Sequence, residues 1–156
     1  MFPYGNDATS ALQRARSKQF VELFLLKVNP YYYAAVIRGE PNQGPALIES
    51  IETFILPLFP AQGPFILGSK FGLAEILTAP FVVRIYLIAK LGLLGNGIEA
   101  KLAELGKWDA WAKAVLANES VKKTFNYEFE AKKVIDRIRK VREANKVATT
   151  GPNPKV

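Results

Sequence analysis

The chain has 156 residues, 49% of them hydrophobic and 22% charged, and a net charge of +7. That length and balance predict one ordinary soluble globular domain with a substantial core. There is no cysteine and no histidine, which excludes disulfides, a cysteine nucleophile and a Ser-His-Asp triad, and leaves no metal site to be expected.

The positive excess is local: from Lys122 onward ten Lys or Arg stand against four Asp or Glu, six of the seven surplus charges. Met1 to Asn6 lack the basic start and apolar run of a secretory signal. The longest uncharged stretch, Thr53 to Ser69, is broken by Pro57, Pro60, Gly63, Pro64 and Gly68, a poor pattern for a membrane span. No membrane association is expected, and a cytoplasmic location is the default.

Residues 1–8, with Pro, Gly and Asn, read as a linker. From about Thr9 to Val28 the pattern is helical, with Leu12, Ala15, Phe20, Leu23, Phe24 and Leu26 supplying an apolar side. Asn29-Pro30 is expected to interrupt it, because the residue before proline is pushed out of helical geometry. A short helix then runs from Tyr31 to Ile37. Three consecutive tyrosines cannot all face inward, so at least one phenol is expected near solvent or a cleft.

After a loop from Gly39 to Gly44, Leu47, Ile48, Ile51, Phe54 and Ile55 recur at helical spacing until Pro57. The best-signalled element follows the proline-rich run that ends at Pro64. Gly72 stands at an N-cap position, Glu75 three residues later can reach back to the cap N–H, and Phe71 and Ile76 are spaced to close a hydrophobic staple. Beyond the cap, Ile76 to Ile88 leave no continuous polar face, which predicts a core helix buried on every side, with a kink where Pro80 removes one bond.

Gly92, Gly95 and Gly97 mark a loop, too sparse and without a preceding strand for a phosphate-binding fingerprint. Ile98, Leu102 and Leu105 give one face of a short helix closed by Gly106, and Trp108, Trp111, Ala112 and Val115 one face of the next, with the tryptophans as core anchors. The last helix is expected from about Tyr127 to Val147, with Val134, Ile138 and Val141 inward and Ile135 beside them. Glu128 with Lys132, and Asp136 with Lys140, stand four apart as solvated pairs. Residues 148–156 have the composition of a flexible tail.

Read from its residues, the chain is an all-α helical bundle over residues 9–147, and nothing in it identifies a reaction. The run Phe65-x-x-Gly68-Ser69-x-Phe71-Gly72-x-Ala74-Glu75-Ile76 resembles the buried capping-box and staple segment that opens the central helix in the C-terminal all-helical domain of glutathione transferases. Trp108 to Ala112 and Ser120 to Phe125 resemble late helices of the same domain. That family commonly has Ser or Thr where Gly72 stands and Asp where Glu75 stands; Glu can serve the same box.

The resemblance implies that a thioredoxin-like N-terminal domain, for which this chain has no βαβ pattern, carries most of the glutathione site and the residue that activates its thiol. No catalytic residue is therefore expected here, no cofactor is bound by this chain alone, and glutathione enters as co-substrate of the full-length protein. The helical domain supplies most of the pocket for an apolar electrophile, and Phe20, Phe24, Tyr31 and Tyr32 are the substrate-binding candidates. Partners implied are the thioredoxin-like domain and, as an open alternative, a second copy in a homodimer. Two other functions stay open: a non-catalytic interaction module like those of translation-factor and aminoacyl-tRNA synthetase subunits, and nucleic-acid binding through Lys132 to Lys146, which no interleaved aromatics support.

Overall fold

A computed structural model describes residues 7–150. The linker expectation for residues 1–6 and the tail expectation for 151–156 lie outside the described residues. The helices are α1 (Ala8–Leu23), α2 (Asn29–Val36), α3 (Gly44–Ser50), α4 (Leu73–Lys90), α5 (Ile98–Glu104), α6 (Lys107–Ala117), α7 (Glu119–Thr124) and α8 (Tyr127–Thr150). Among the described residues the one β interaction is the isolated Phe65–Gly68 bridge, so the architecture is an all-α bundle.

α1 starts one residue inside the expected linker. Asp7 accepts from the Ser10 backbone N–H at 2.9 Å and from its hydroxyl at 2.8 Å, the two contacts of a side-chain N-cap. Those donors hold the Asp7 carboxyl below its usual value.

The expected break at Asn29-Pro30 does not occur. Phe24–Val28 is a π-helical turn joining α1 to α2, and Asn29 N–H bonds the Phe24 carbonyl five residues back. An ordinary residue at position 30 would have served the Leu26 carbonyl, and Leu26 is exposed, so water can take that acceptor.

A second π-helical turn, Ile51–Ile55, extends α3 in the same way. The Ser50 hydroxyl donates to the Lys27 carbonyl at 2.6 Å, and the Lys27 ammonium lies 5.1 Å from the centre of the Phe54 ring. Phe54 therefore covers the outside of this junction rather than joining the apolar side on which its spacing places it.

The core is an aromatic cluster walled by aliphatics. Phe20 packs edge-on to Phe59 and Trp111, Phe24 stacks on Trp108, and the two tryptophan centroids are 5.1 Å apart. Such pairs contribute roughly 0.5–1.5 kcal/mol each beyond the area they bury. The tryptophans are core anchors as their spacing predicts.

α8 lies across α2 and α4, with Val134 and Ile138 buried and Ile135 exposed. Arg142 Nε donates to the Gly39 carbonyl at 3.3 Å and Asn145 Nδ2 to the Arg38 carbonyl at 3.1 Å, closing the C-terminal end of α2. Its ion pairs are Glu130–Lys133 and Asp136–Arg139, three residues apart. The expected Glu128–Lys132 and Asp136–Lys140 pairs are not made; Asp136 is taken by Arg139, one residue nearer along the helix, and it is Glu130 rather than Glu128 that pairs with a lysine. The helix runs to Thr150, past the expected end at Val147. No helix among the described residues is long and apolar enough to cross a membrane.

Candidate functional site

The site is built on α4, whose first turn is held by one buried carboxylate. Glu75 is 0% exposed. Its Oε2 accepts from Gly72 N–H at 2.9 Å, and its Oε1 from Ile66 N–H at 2.9 Å and Trp111 Nε1–H at 3.2 Å. Glu75 thus ties the helix to the preceding loop and to α6 as well as to its own cap. Only the glutamate half of the capping box exists, since Gly72 has no side chain to offer the Glu75 N–H. The extended backbone at Gly72 (φ −123°) does not itself demand glycine.

α4 is not buried on every side. Ile76 is 49% and Leu77 45% exposed, and Pro80 is exposed beside them, while Val82, Ile85, Leu87 and Ile88 on the later turns are interior. The helix continues through Pro80, whose missing N–H falls on this outer face where solvent reaches the Ile76 carbonyl. Sequence hydropathy cannot separate these halves, because the outer side chains are as apolar as the inner ones.

Two apolar surfaces result. Between α1 and α4, Ala15, Val21, Leu73 and Leu77 line a trough of about 460 Å³. On the other flank of α4, Phe71, Ile76, Pro80, Val83, Val121 and Phe125 line a groove of about 380 Å³ against α7. Phe71 and Ile76, the expected staple, both face this groove. At its end stands Arg84, whose Nη1 donates to the Pro80 carbonyl at 3.0 Å, and beyond it a second groove of about 580 Å³ opens between α2, α4 and α8. Tyr32, Val36 and Val134 form the apolar part of that second groove, with Arg84, Lys133, Arg137 and Lys140 around it.

Of the substrate-binding candidates, only Tyr32 reaches a groove. Phe20 and Phe24 are 0% exposed and occupied by the tryptophan cluster, so they have no surface to give a ligand. Tyr31 is half-buried against the core and Tyr33 is the exposed phenol that the triple tyrosine requires. The groove residues that periodicity misses are Pro80, Arg84 and Phe125. For Pro80 and Arg84 the signal is an arginine four residues after a proline on an otherwise apolar helix; Phe125, at the end of α7, carries no such signal.

Burial pushes the Tyr32 phenol above its usual value, with the nearby Arg84 guanidinium opposing. Tyr86 is also raised by burial; its oxygen and the Trp108 indole N–H both lack a good hydrogen bond. The fold holds both phenols protonated, so the unfolded chain releases those protons first. Stability is expected in full below about pH 10 and to fall above it, at up to about 1.4 kcal/mol per pH unit for Tyr86, with Tyr32 adding a loss in the same direction. Urea titrations from pH 8 to 11 check this: Tyr86→Phe removes most of the fall above pH 10 and costs little at pH 8, since its hydroxyl makes no good hydrogen bond.

Bundle and groove define a class: an all-α fold that resembles the C-terminal domain of glutathione transferases. Compared with solved structures, the chain is similar to the crystal structure of glutathione transferase Omega 1C from Trametes versicolor, with 26% identity and a TM-score of 0.73. The match covers 88% of this chain and 58% of that one, so this chain spans little more than half the length of its relative. No family model matches the chain, and no curated protein does.

Proposed function

We propose that this chain acts as the helical half of a glutathione transferase-like protein, holding an apolar electrophile in the groove along α4 while a thioredoxin-like domain presents glutathione. The observation that carries this reading is an apolar groove along α4, ending at Arg84, on a bundle similar to a glutathione transferase over 88% of the chain. The apolar α1/α4 trough is the surface on which the thioredoxin-like domain would seat; buried there, Leu77 would lose its contact with water.

Conjugation of glutathione to an apolar electrophile tests this. The chain alone is expected to bind the electrophile without conjugating it, and to conjugate once joined to a thioredoxin-like domain. Conjugation by the chain alone would show that it activates the thiol itself, against the reading. The same exposed trough also suits a non-catalytic interaction module. That alternative gains if the chain retains no electrophile and the joined form stays inactive.

A further inference from the structure

Asn96 is the one asparagine of the chain that glycine follows, and the pair lies exposed in the turn between α4 and α5. Among the described residues neither the Asn96 side-chain amide nor the Gly97 N–H makes a hydrogen bond. Gly97 has a left-handed backbone (φ +75°), and no atom beyond its chain neighbours stands within 4 Å of the place a side chain would take. Its nitrogen is therefore unshielded and uncommitted beside the amide. The other asparagines of the fold are placed differently. Asn29 is buried and precedes Pro30, which has no N–H. Asn118 and Asn126 accept from the Ser120 and Phe129 N–H groups, Asn145 donates to the Arg38 carbonyl, and Asn42 is followed by the bulkier Gln43.

We propose that Asn96 and Gly97 form a self-modification site, at which the chain converts this asparagine to aspartate or isoaspartate and so loosens the junction between α3 and α5. The Gly97 nitrogen gives its proton to hydroxide and attacks Asn96 Cγ. The new N–C bond forms as the bond from Cγ to the amide nitrogen breaks, and ammonia leaves with a proton from water. A water molecule then opens the resulting succinimide ring. Attack at the side-chain carbonyl restores the ordinary peptide link and leaves aspartate. Attack at the main-chain carbonyl leaves isoaspartate, whose main chain runs through Cβ and Cγ and is one carbon longer. Water and hydroxide are the only co-reactants.

The extra carbon matters because position 96 is held on both sides. Leu94 and Ile98 are 0% and 2% exposed. The Leu94 carbonyl accepts from Gly44 N–H at 2.8 Å, and the Gly44 backbone lies so close to Ile98 that an added Cβ would overlap it. A longer main chain between two packed anchors displaces one of them, so isoaspartate frees the start of α3 from the α4–α5 connection. Aspartate keeps the main chain and adds only an exposed charge, which leaves the junction intact. The groove between α4 and α7 shares none of these residues, so the inference stands apart from the electrophile reading.

Ageing the full chain for days at about pH 7, 8 and 9, followed by peptide mapping with mass spectrometry, tests this. The tryptic peptide 91–101 is expected to gain the mass of an amide-to-acid exchange several-fold faster than any peptide carrying another asparagine. Its rate should rise roughly tenfold per pH unit, since the deprotonated Gly97 amide is the attacking form. An isoaspartate-specific methyltransferase should label the aged chain, and its Tm should lie several degrees below that of the fresh chain. Asn96→Asp should keep the fresh Tm, and Asn96→Ala, an exposed substitution, should neither gain mass in this peptide nor lose Tm on ageing. No gain in peptide 91–101, or a gain no faster than elsewhere, would overturn the site. Isoaspartate there with an unchanged Tm, or an equal fall in Tm for aged Asn96→Ala, would overturn its effect on the junction.

Discussion

Glu75→Gln is expected to destabilise the protein by about 2–3 kcal/mol, and Glu75→Ala by about 4–6 kcal/mol, because buried donors left without acceptors cost roughly 1–3 kcal/mol each. The carboxylate receives three N–H groups, from Ile66, Gly72 and Trp111, and no water reaches it. Glutamine keeps the shape and loses one acceptor. Its amide oxygen can take the Oε1 position and serve Ile66 and Trp111, but its amide nitrogen then meets the Gly72 N–H, donor against donor. Alanine strands all three donors and leaves a cavity.

Against an ordinary total of about 5–15 kcal/mol, the alanine variant is close to unfolding. Urea denaturation followed by tryptophan fluorescence reads both effects, since Trp111 is itself one of the donors. A double-mutant cycle of Glu75→Gln with Trp111→Phe should show coupling of about 1 kcal/mol or more. If Glu75→Gln shifts stability by less than about 0.5 kcal/mol, the carboxylate does not organise this helix.

Gly44→Ala is the second large effect, and its cause is space rather than backbone angle. α3 begins where Gly44 N–H bonds the Leu94 carbonyl at 2.8 Å, bringing its backbone against the α4–α5 connection. A Cβ there would lie 2.2 Å from Ile98 Cγ1 and 2.6 Å from the Leu94 oxygen. Ile98 is buried and the Leu94 oxygen belongs to the backbone, so neither can step aside cheaply. Overpacking of this kind costs about 1–3 kcal/mol and occasionally more, and the upper end is expected here.

Gly92→Ala is the control. Gly92 has a left-handed backbone (φ +68°) but open space around its missing side chain, so only the conformational cost of about 1–2 kcal/mol applies. Thermal unfolding should rank Gly44→Ala below Gly92→Ala by several degrees in Tm, at roughly 2–4 °C per kcal/mol for a chain of this size. The reverse order would mean that α3 does not depend on this close approach.

The helices that pattern alone identifies are those in which local signals agree. The Gly72–Glu75 box, the Trp108–Trp111 face and the Val134–Ile138 side are all visible as spacings, because capping and amphipathicity act over three or four residues. The π-helical passage through Pro30 is not visible in that way. It depends on Ser50, Lys27 and Phe54 stitching two bulged turns together, and a rule about proline and its neighbour knows nothing of a helix packed alongside.

The candidate site divides similarly. Phe20 and Phe24 looked like pocket residues because large aromatics suit both pockets and cores, and the tryptophans that enclose them come from about ninety residues further along the chain. Arg84, Pro80 and Phe125 form one wall only after α7 and α8 fold back beside α4. By itself the sequence determined the class of fold, the start of the central helix, and the exclusion of cysteine and histidine chemistry, since each follows from composition or from neighbours within one helical turn. The tertiary structure alone decided which apolar side chains are interior and which line a groove, because burial depends on what the rest of the chain leaves uncovered.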